Sequence, residues 1–531
     1  MNKKIIFSLF IFFTFLSTSN AQKQYEMVVE KNDGSKITVN TNEINKTYFQ
    51  EIPPEVIYTN FLNDIYDKMH TAGWSTTGNT HQCFGISAYS LAADVMGDDC
   101  IMKSQGSGWF WYDATYNVKS RYTSQAWRSY DLWKAYYTWI NDANYIIAAE
   151  NTLEGTTSEV NYIMGQAYAI RAYSYFMLAQ WFARTVKGHE NEPCVPFYYG
   201  QATFESTGQP RSTCAEVYAQ INKDIDKAIE LLNNTGQKSK NHISYAVALG
   251  LKARIALTQE DWQTAAKAAE TAISESGYTI QPVSAGAFRR NSSNFINSVG
   301  SNNVMWGAVI TYAKVGMYAS LYAHMDVNAD MHAGYDHAPK RINSDTYNLM
   351  GNNDTRRCWW DPYDSQNPYQ QHKFNFSDIA TYLGDYVWMR IEEMYLVAAE
   401  AECMLGNDAK AQTYLNTLVK TRDPDYNCTK TGKELGKLTS DRTGSLREAI
   451  IDQRRIELWG EYGRVYDIRR LKQGFTRTTA QGWPDGAAIL LTGRPSDDPE
   501  NYMWVLTIPQ AEFDANDNMD AEKDQNPTAD K

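Results

Sequence analysis

SYAVALGLKARIALTQEDWQTAAKAAETAISESGY, residues 244–278, decides the fold. Leu251, Ala253 and Leu257, then Trp262, Ala265, Ala266, Ala269 and Ala272, mark the apolar faces of two helices joined at Gln259-Glu260-Asp261. Small residues stand where the two helices must cross closely, as in the helix-turn-helix unit of a tetratricopeptide repeat. Residues 390–424 repeat the pattern: Ala398, Ala401 and Leu405, then Gly406-Asn407-Asp408, then Ala411, Tyr414, Leu415 and Leu418. Two such units so far apart imply a helical array with an insertion between them, at about residues 282–384. That stretch is rich in Asn, Asp, Gly and aromatic residues, and loops of such length usually carry function.

Working outward, Trp133, Tyr136, Tyr137, Ile140, Asn144 and Ile147 recur at three- and four-residue steps and predict a helix within 124–150. A second is predicted over 159–184, where Ala167, Ala169, Ala172 and Ala179 permit close packing and Pro193 and Pro196 follow its end. Residues 1–21 read as a secretory signal: Lys3 and Lys4, an apolar run over 5–16, then Ser19-Asn20-Ala21 as a cleavage site. Residues 22–50 predict a small β-hairpin appendage, with strands at 26–30 and 36–40 around Asn32-Asp33-Gly34, and 51–531 form one helical domain. No later run approaches the roughly 18 apolar residues of a membrane span.

Composition narrows the function. The 36 Tyr and 15 Trp imply an ordered chain with rings to spare for binding, and the net charge of -12, with its basic residues dispersed, argues against nucleic acid. Seven cysteines show no C-x-x-C spacing; Cys83 with Cys100, or Cys194 with Cys214, are possible disulfides in an oxidising compartment.

Ordered motifs then carry a family resemblance over most of the chain. Trp133-x-x-Tyr136 through Asn144, Arg171-Ala172-Tyr173 with Tyr175 to Leu178, Asp224-Ile225-Asp226-Lys227-Ala228-Ile229, and Ala253-Arg254 with Leu257 resemble the SusD/RagB family. So do Asp354-x-Arg356, Arg390-x-Glu392 through Ala399-Glu400-Ala401, and Gln453-Arg454-Arg455-Ile456-Glu457-Leu458 with Gly460-Glu461, Asp467 and Arg469-Arg470. Ile508-Pro509-Gln510 through Asn516 to Gln525-Asn526-Pro527 is similar to the family's C-terminal signature. The resemblance implies an all-α, tetratricopeptide-like array with a loop-rich ligand-facing half, here with a short N-terminal β hairpin. It further implies a protein of the outer-membrane surface that docks on a SusC-like TonB-dependent barrel and delivers oligosaccharides, or in RagB-type members peptides, into it. Members usually carry a lipobox cysteine directly after the signal; here no cysteine precedes Cys83, a departure that puts the lipid anchor in doubt.

Sugar capture uses rigid rings against apolar sugar faces and short polar groups for the hydroxyls. The candidates are Trp74; Trp109, Trp111 and Tyr112, beside Gly106-Ser107-Gly108; Trp306, with Tyr318 and Tyr322; and Trp359 with Trp360. Packing in the core is the competing reading of each. Asp326-x-Asn328-x-Asp330 begins like a calcium loop but has Met331 for the required Gly and His337 for the bidentate Glu, so no cofactor is expected beyond calcium as an open alternative. His324, His332 and His337 match no helical two-histidine metal site. A glycosidase needs two facing carboxylates, and adjacent Glu392 and Glu393 diverge on a helix. The charged run from Arg454 to Arg470 is read as structural, with partners three or four residues apart. Non-catalytic oligosaccharide capture leads; peptide capture, and a protein-binding scaffold without a small ligand, are the alternatives.

Overall fold

The computed structural model describes residues 26–30, 35–40, 54–72, 78–116, 126–283, 298–488 and 498–528. The chain divides into two compact units, Met1–Pro53 and Pro54–Lys531. In the first, Glu26–Glu30 pairs antiparallel with Lys36–Asn40, Val28 opposite Thr38. The proposed signal and the hairpin's turn residues lie outside the described residues.

The second unit is helix-dominated, and its helices start where local chemistry allows. At Thr157–Phe182 the Glu159 N–H donates to the Thr156 hydroxyl (3.3 Å), while the Thr156 N–H donates to the Glu159 carboxylate (3.0 Å). Thr213 and Glu216 form the same reciprocal cap at Cys214–Leu232, and Ser244 and Asp261 cap Tyr245–Thr258 and Trp262–Glu275. The turn between the last two falls on Gln259-Glu260-Asp261, as the sequence indicates. In the later unit, Ile391–Leu405 and Asp408–Val419 are joined through Gly406, whose left-handed φ of 87° suits glycine.

Each helix packs on the next: Trp127–Ile147 on Thr157–Phe182, that on Cys214–Leu232, then Tyr245–Thr258 and Trp262–Glu275. Trp262–Glu275 packs directly on Ile391–Leu405, although residues 276–390 separate them in sequence. Ala265, Ala269 and Ala272 on one helix and Ala398 and Ala401 on the other are buried, so the interval leaves the array and returns to it. It leaves and re-enters through an antiparallel pair, Val304–Ala308 with Tyr386–Arg390. Within it, Lys340–Ile342, Gln370–Gln371 and Trp360–Asp361 extend a small sheet begun by Cys100–Met102.

A buried charge cluster ties the interval to the array. The Glu457 carboxylate accepts from Arg356 (3.1 Å), Arg390 (3.0 Å) and both Nε and Nη2 of Arg422 (3.1 and 2.9 Å), and all four side chains are at most 1% exposed. Arg356 also chelates Asp354 (3.0 and 2.6 Å), which accounts for the Asp354-x-Arg356 motif. The next residues along the charged run reach elsewhere: Arg455 to Asp99 (2.7 Å), Arg464 to Asp98 (2.9 Å), and Arg470 to Glu400 (2.7 Å). Arg470 with Asp467 (2.8 Å) follows the expected three-residue spacing, but Asp99, Asp98 and Glu400, the partners of Arg455, Arg464 and Arg470, are remote in sequence.

Burial alone would raise the Glu457 carboxyl, but Arg422, Arg390 and Arg356 outweigh it and hold it well below its ordinary value. Glu461, between Arg390 and Lys373, and Glu400, beside Arg470, are held low in the same way against burial. Carboxyls depressed in the folded state stabilise it above their unfolded values, and that contribution is lost as pH falls below roughly 4.3 toward the folded values. Glu457→Gln leaves three buried guanidinium groups undercompensated and is expected to lower stability by about 3–5 kcal/mol. Denaturant unfolding at neutral pH reads that loss, and the variant's stability falls less steeply than wild type between pH 5 and 3 (about the unfolded carboxylate range).

Candidate ligand-binding site

Two segments from different parts of the chain meet at one surface, residues 78–116 and the part of the interval around 310–338. Arg128, fully buried on Trp127–Ile147, holds the first in shape: it chelates Asp113 (3.1 and 2.8 Å) and donates to the Gln82 carbonyl (3.0 Å). The Gln82 side-chain carbonyl accepts the Phe110 N–H at 2.7 Å, which ties the turn at 80–82 to the Trp109 loop. The loop then closes on the interval. Ser107 Oγ donates to Asp336 (2.6 Å) and Ser104 Oγ to the His337 carbonyl (2.6 Å). Gly106, at φ 51°, lies where a Cβ would come within 2.9 Å of Ala338, so the approach needs glycine twice over.

Where the segments meet, rings assemble. His81 packs between Trp109 (centroids 4.9 Å) and Tyr318 (5.6 Å, interplanar 21°). His332 lies 5.1 Å from His81, 5.9 Å from Trp109 and 5.7 Å from Tyr318, and stacks on His324 at 4.5 Å. Exposure falls in layers: Tyr318 is 42% exposed, Trp109 and His81 are half-buried, and His332 and His324 are buried, the last against Phe84 and Phe110. The outer face is therefore apolar ring surface. Asp336, partly exposed at its edge, accepts from Ser107 and from His332 Nδ1 (2.9 Å).

Burial keeps the imidazoles uncharged at neutral pH. It depresses His324 well below its ordinary value, and depresses His332 and His81 despite the opposing pull of Asp336. Burial would raise Asp336, but hydrogen bonds from Ser107 and His332 hold it below the usual carboxylate range. The arrangement offers flat neutral rings flanked by an ionised acceptor.

The candidates named from sequence separate into groups. Trp109 and Tyr318 come together with His81. Trp74 lies outside the described residues. Trp111 is half-buried against a small cluster of Ile101, Trp483 and Ala487, and Tyr112 is half-buried beside it in sequence. Trp306, Trp359 and Trp360 are corrected to core positions. Trp306 packs edge-on against Tyr173 (5.3 Å) and Trp388 (4.9 Å) and donates to the Asn241 carbonyl; all five residues of its strand are buried. Trp360 packs on Trp359 (5.9 Å) and Trp459 (5.6 Å), with Lys373 over Trp359. Tyr322 is likewise buried, against Phe376 and Tyr386.

The calcium-like run does not open toward a cation. Asp326 is fully buried; Oδ1 accepts from the Asn328 N–H (2.9 Å) and Nδ2 (3.2 Å), and Oδ2 from the Phe376 N–H (3.1 Å), while Asn328 and Asp330 are exposed. Among the described residues, no group of three or more His, Cys, Asp or Glu is placed to hold a metal ion. His81 and Asp336 are the members that sequence reasoning missed. Nothing in their local spacing marks them, since they are defined only by loops meeting across the fold.

Comparison with known proteins gives a consistent set of relatives. A SusD-like family model, described as starch-binding associating with outer membrane, matches residues 84–257, and the SusD family model matches 317–528. SusD-like protein P2 of Formosa agariphila is 25% identical over 427 residues, 73% of this chain and 79% of that protein. The crystal structure of a SusD-like carbohydrate binding protein from Bacteroides vulgatus is 25% identical and superposes with a TM-score of 0.70, covering 90% of this chain and 100% of that one. Surface glycan-binding protein A from Bacteroides thetaiotaomicron, in complex with laminarihexaose, shares the fold at 18% identity, with a TM-score of 0.61 over 89% of this chain and 99% of that one. No helix among the described residues is long and apolar enough to cross a membrane.

If Asp336 supports the His332 imidazolium against burial, Asp336→Asn lowers the His332 pKa further. NMR titration of the ring resonances reads this directly: wild-type His332 titrates below an ordinary histidine, and the variant lower still.

Proposed function

The chain belongs to the SusD/RagB family, and on that premise we propose that it captures oligosaccharides at the bacterial outer membrane, without cleaving them, for delivery to a SusC-like TonB-dependent transporter. The observation that carries this reading is the ring surface of exposed Tyr318 and half-buried Trp109 and His81, with Asp336 at its edge. Sugar rings present an apolar face of axial C–H groups and a rim of hydroxyls. The aromatic faces meet the first, and an ionised carboxylate accepts hydrogen bonds from the second. Neutral imidazoles keep the platform uncharged, which suits a neutral ligand.

Capture without cleavage is supported by the state of the same carboxylate. Glycoside hydrolysis needs a carboxylic acid with a raised pKa opposite a second carboxylate. Asp336 is held low and already accepts two hydrogen bonds, which suits an acceptor and disfavours a proton donor. Outer-membrane placement is supported by the family description, and hand-over to a barrel belongs to the same reading.

The test is calorimetric titration of the chain against a panel of oligosaccharides that includes laminarihexaose, the ligand of the B. thetaiotaomicron relative. Saturable binding is expected for at least one glycan. Trp109→Ala with Tyr318→Ala weakens it at least tenfold, roughly 1.4 kcal/mol, in a variant that keeps its melting temperature. Chromatography of the incubated glycan shows no shorter products. Binding unchanged by the double substitution, or released products, would contradict the reading, as would saturable binding of peptides in place of any glycan.

A further inference from the structure

After the helix Thr157–Phe182 the chain runs out and returns as a short antiparallel pair, Pro193–Pro196 with Arg211–Thr213, and Cys214 opens the helix Cys214–Leu232. Pro193 lies opposite Thr213, and the Cys214 N–H donates to the Glu192 carbonyl at 2.9 Å. Cys194 follows Pro193 and Cys214 follows Thr213, so the two lie diagonally across this pair, with their thiols close enough to influence one another and both residues fully buried. Arg211 lies beside them, its Nε donating to the Cys194 carbonyl at 2.8 Å.

We propose that Cys194 and Cys214 are joined by a disulfide in the exported protein, closing residues 195–213 into a covalent loop. The inference rests on the proposed outer-membrane location, because export carries the chain through an oxidising compartment. The other pairing open from sequence has no such support, since Cys83 Sγ lies 3.8 Å from the Tyr89 hydroxyl.

Cys214 is the first residue of a 19-residue helix. One of the two thiols, as its thiolate, displaces one sulfur of an oxidant disulfide, supplied by an exported thiol oxidoreductase or by glutathione disulfide, and forms a mixed disulfide. The other thiol then gives its proton to water, and its sulfur displaces the oxidant's remaining sulfur from the first. Two cysteine thiols are oxidised, and one oxidant disulfide is reduced to two thiols. Since both sulfurs are buried in the fold, exchange occurs as the strand pair closes.

The closed loop carries the exposed rings of Tyr199 and Phe204, and Tyr199 walls a groove of about 700 Å³ shared with Tyr168 and the Arg171–Asp224 ion pair. The bridge would anchor that wall at its base.

The chain is refolded in a glutathione redox buffer, quenched with iodoacetamide and digested with trypsin. The peptides spanning 188–211 and 212–223 are expected as one cross-linked species that reductant separates, with the other five cysteines alkylated. Alkylation of both Cys194 and Cys214, or a bridge from either to a different cysteine, would overturn the inference. The readout is covalent and made in a defined buffer. A chain that binds no glycan still passes or fails it, and failure here leaves glycan capture untouched.

Discussion

The Glu457 carboxylate, buried among Arg356, Arg390 and Arg422, is the constraint on which the rest of the structure depends. Arg356 belongs to the interval between the two repeat units, Arg390 to the strand that returns from it, and Arg422 to the segment after Asp408–Val419. One side chain on Leu446–Glu457 therefore fixes three parts of the chain that no local interaction brings together. Removing these four charges from water is unfavourable unless each finds full hydrogen bonding, so the geometry tolerates little displacement. That intolerance gives the loop-rich side a defined position on the helical array.

The candidate site inherits its shape from the same logic at smaller scale. Arg128 locks the 80–82 turn to the Trp109 loop, and Ser104 and Ser107 fasten that loop to 336–337. The rings are consequently preorganised, and a ligand would order few side chains on binding. The neutral His81 ring between Trp109 and Tyr318 widens the platform without adding charge.

The helical pairs are legible in sequence because their signal is local: apolar spacing, small residues at crossings, and the junctions Gln259-Glu260-Asp261 and Gly406-Asn407-Asp408. The charged run from Arg454 to Arg470 was legible as structural, but its partners were not. Asp98, Asp99 and Glu400 stand far away in sequence, and spacing rules reach only one helical turn. For Trp306, Trp359 and Trp360 the sequence leaves core packing and ligand contact both open, and the structure buries all three; for Trp306, a short strand buried on both faces, Val304–Ala308, has no alternating pattern to set it apart from an aromatic loop. Trp109 and Tyr318 were each visible as loop aromatics. Their conjunction through His81 arises only when distant loops meet.

The central claim is that an oligosaccharide rests on the rings at the junction of the two loop segments. A crystal structure of the chain soaked with a glycan that titration shows to bind tests it most directly. The account predicts a sugar ring stacked on Trp109 or Tyr318 with a hydroxyl bonded to Asp336. A sugar bound in the groove beside Tyr168 and Tyr199, with the platform bare, would contradict it.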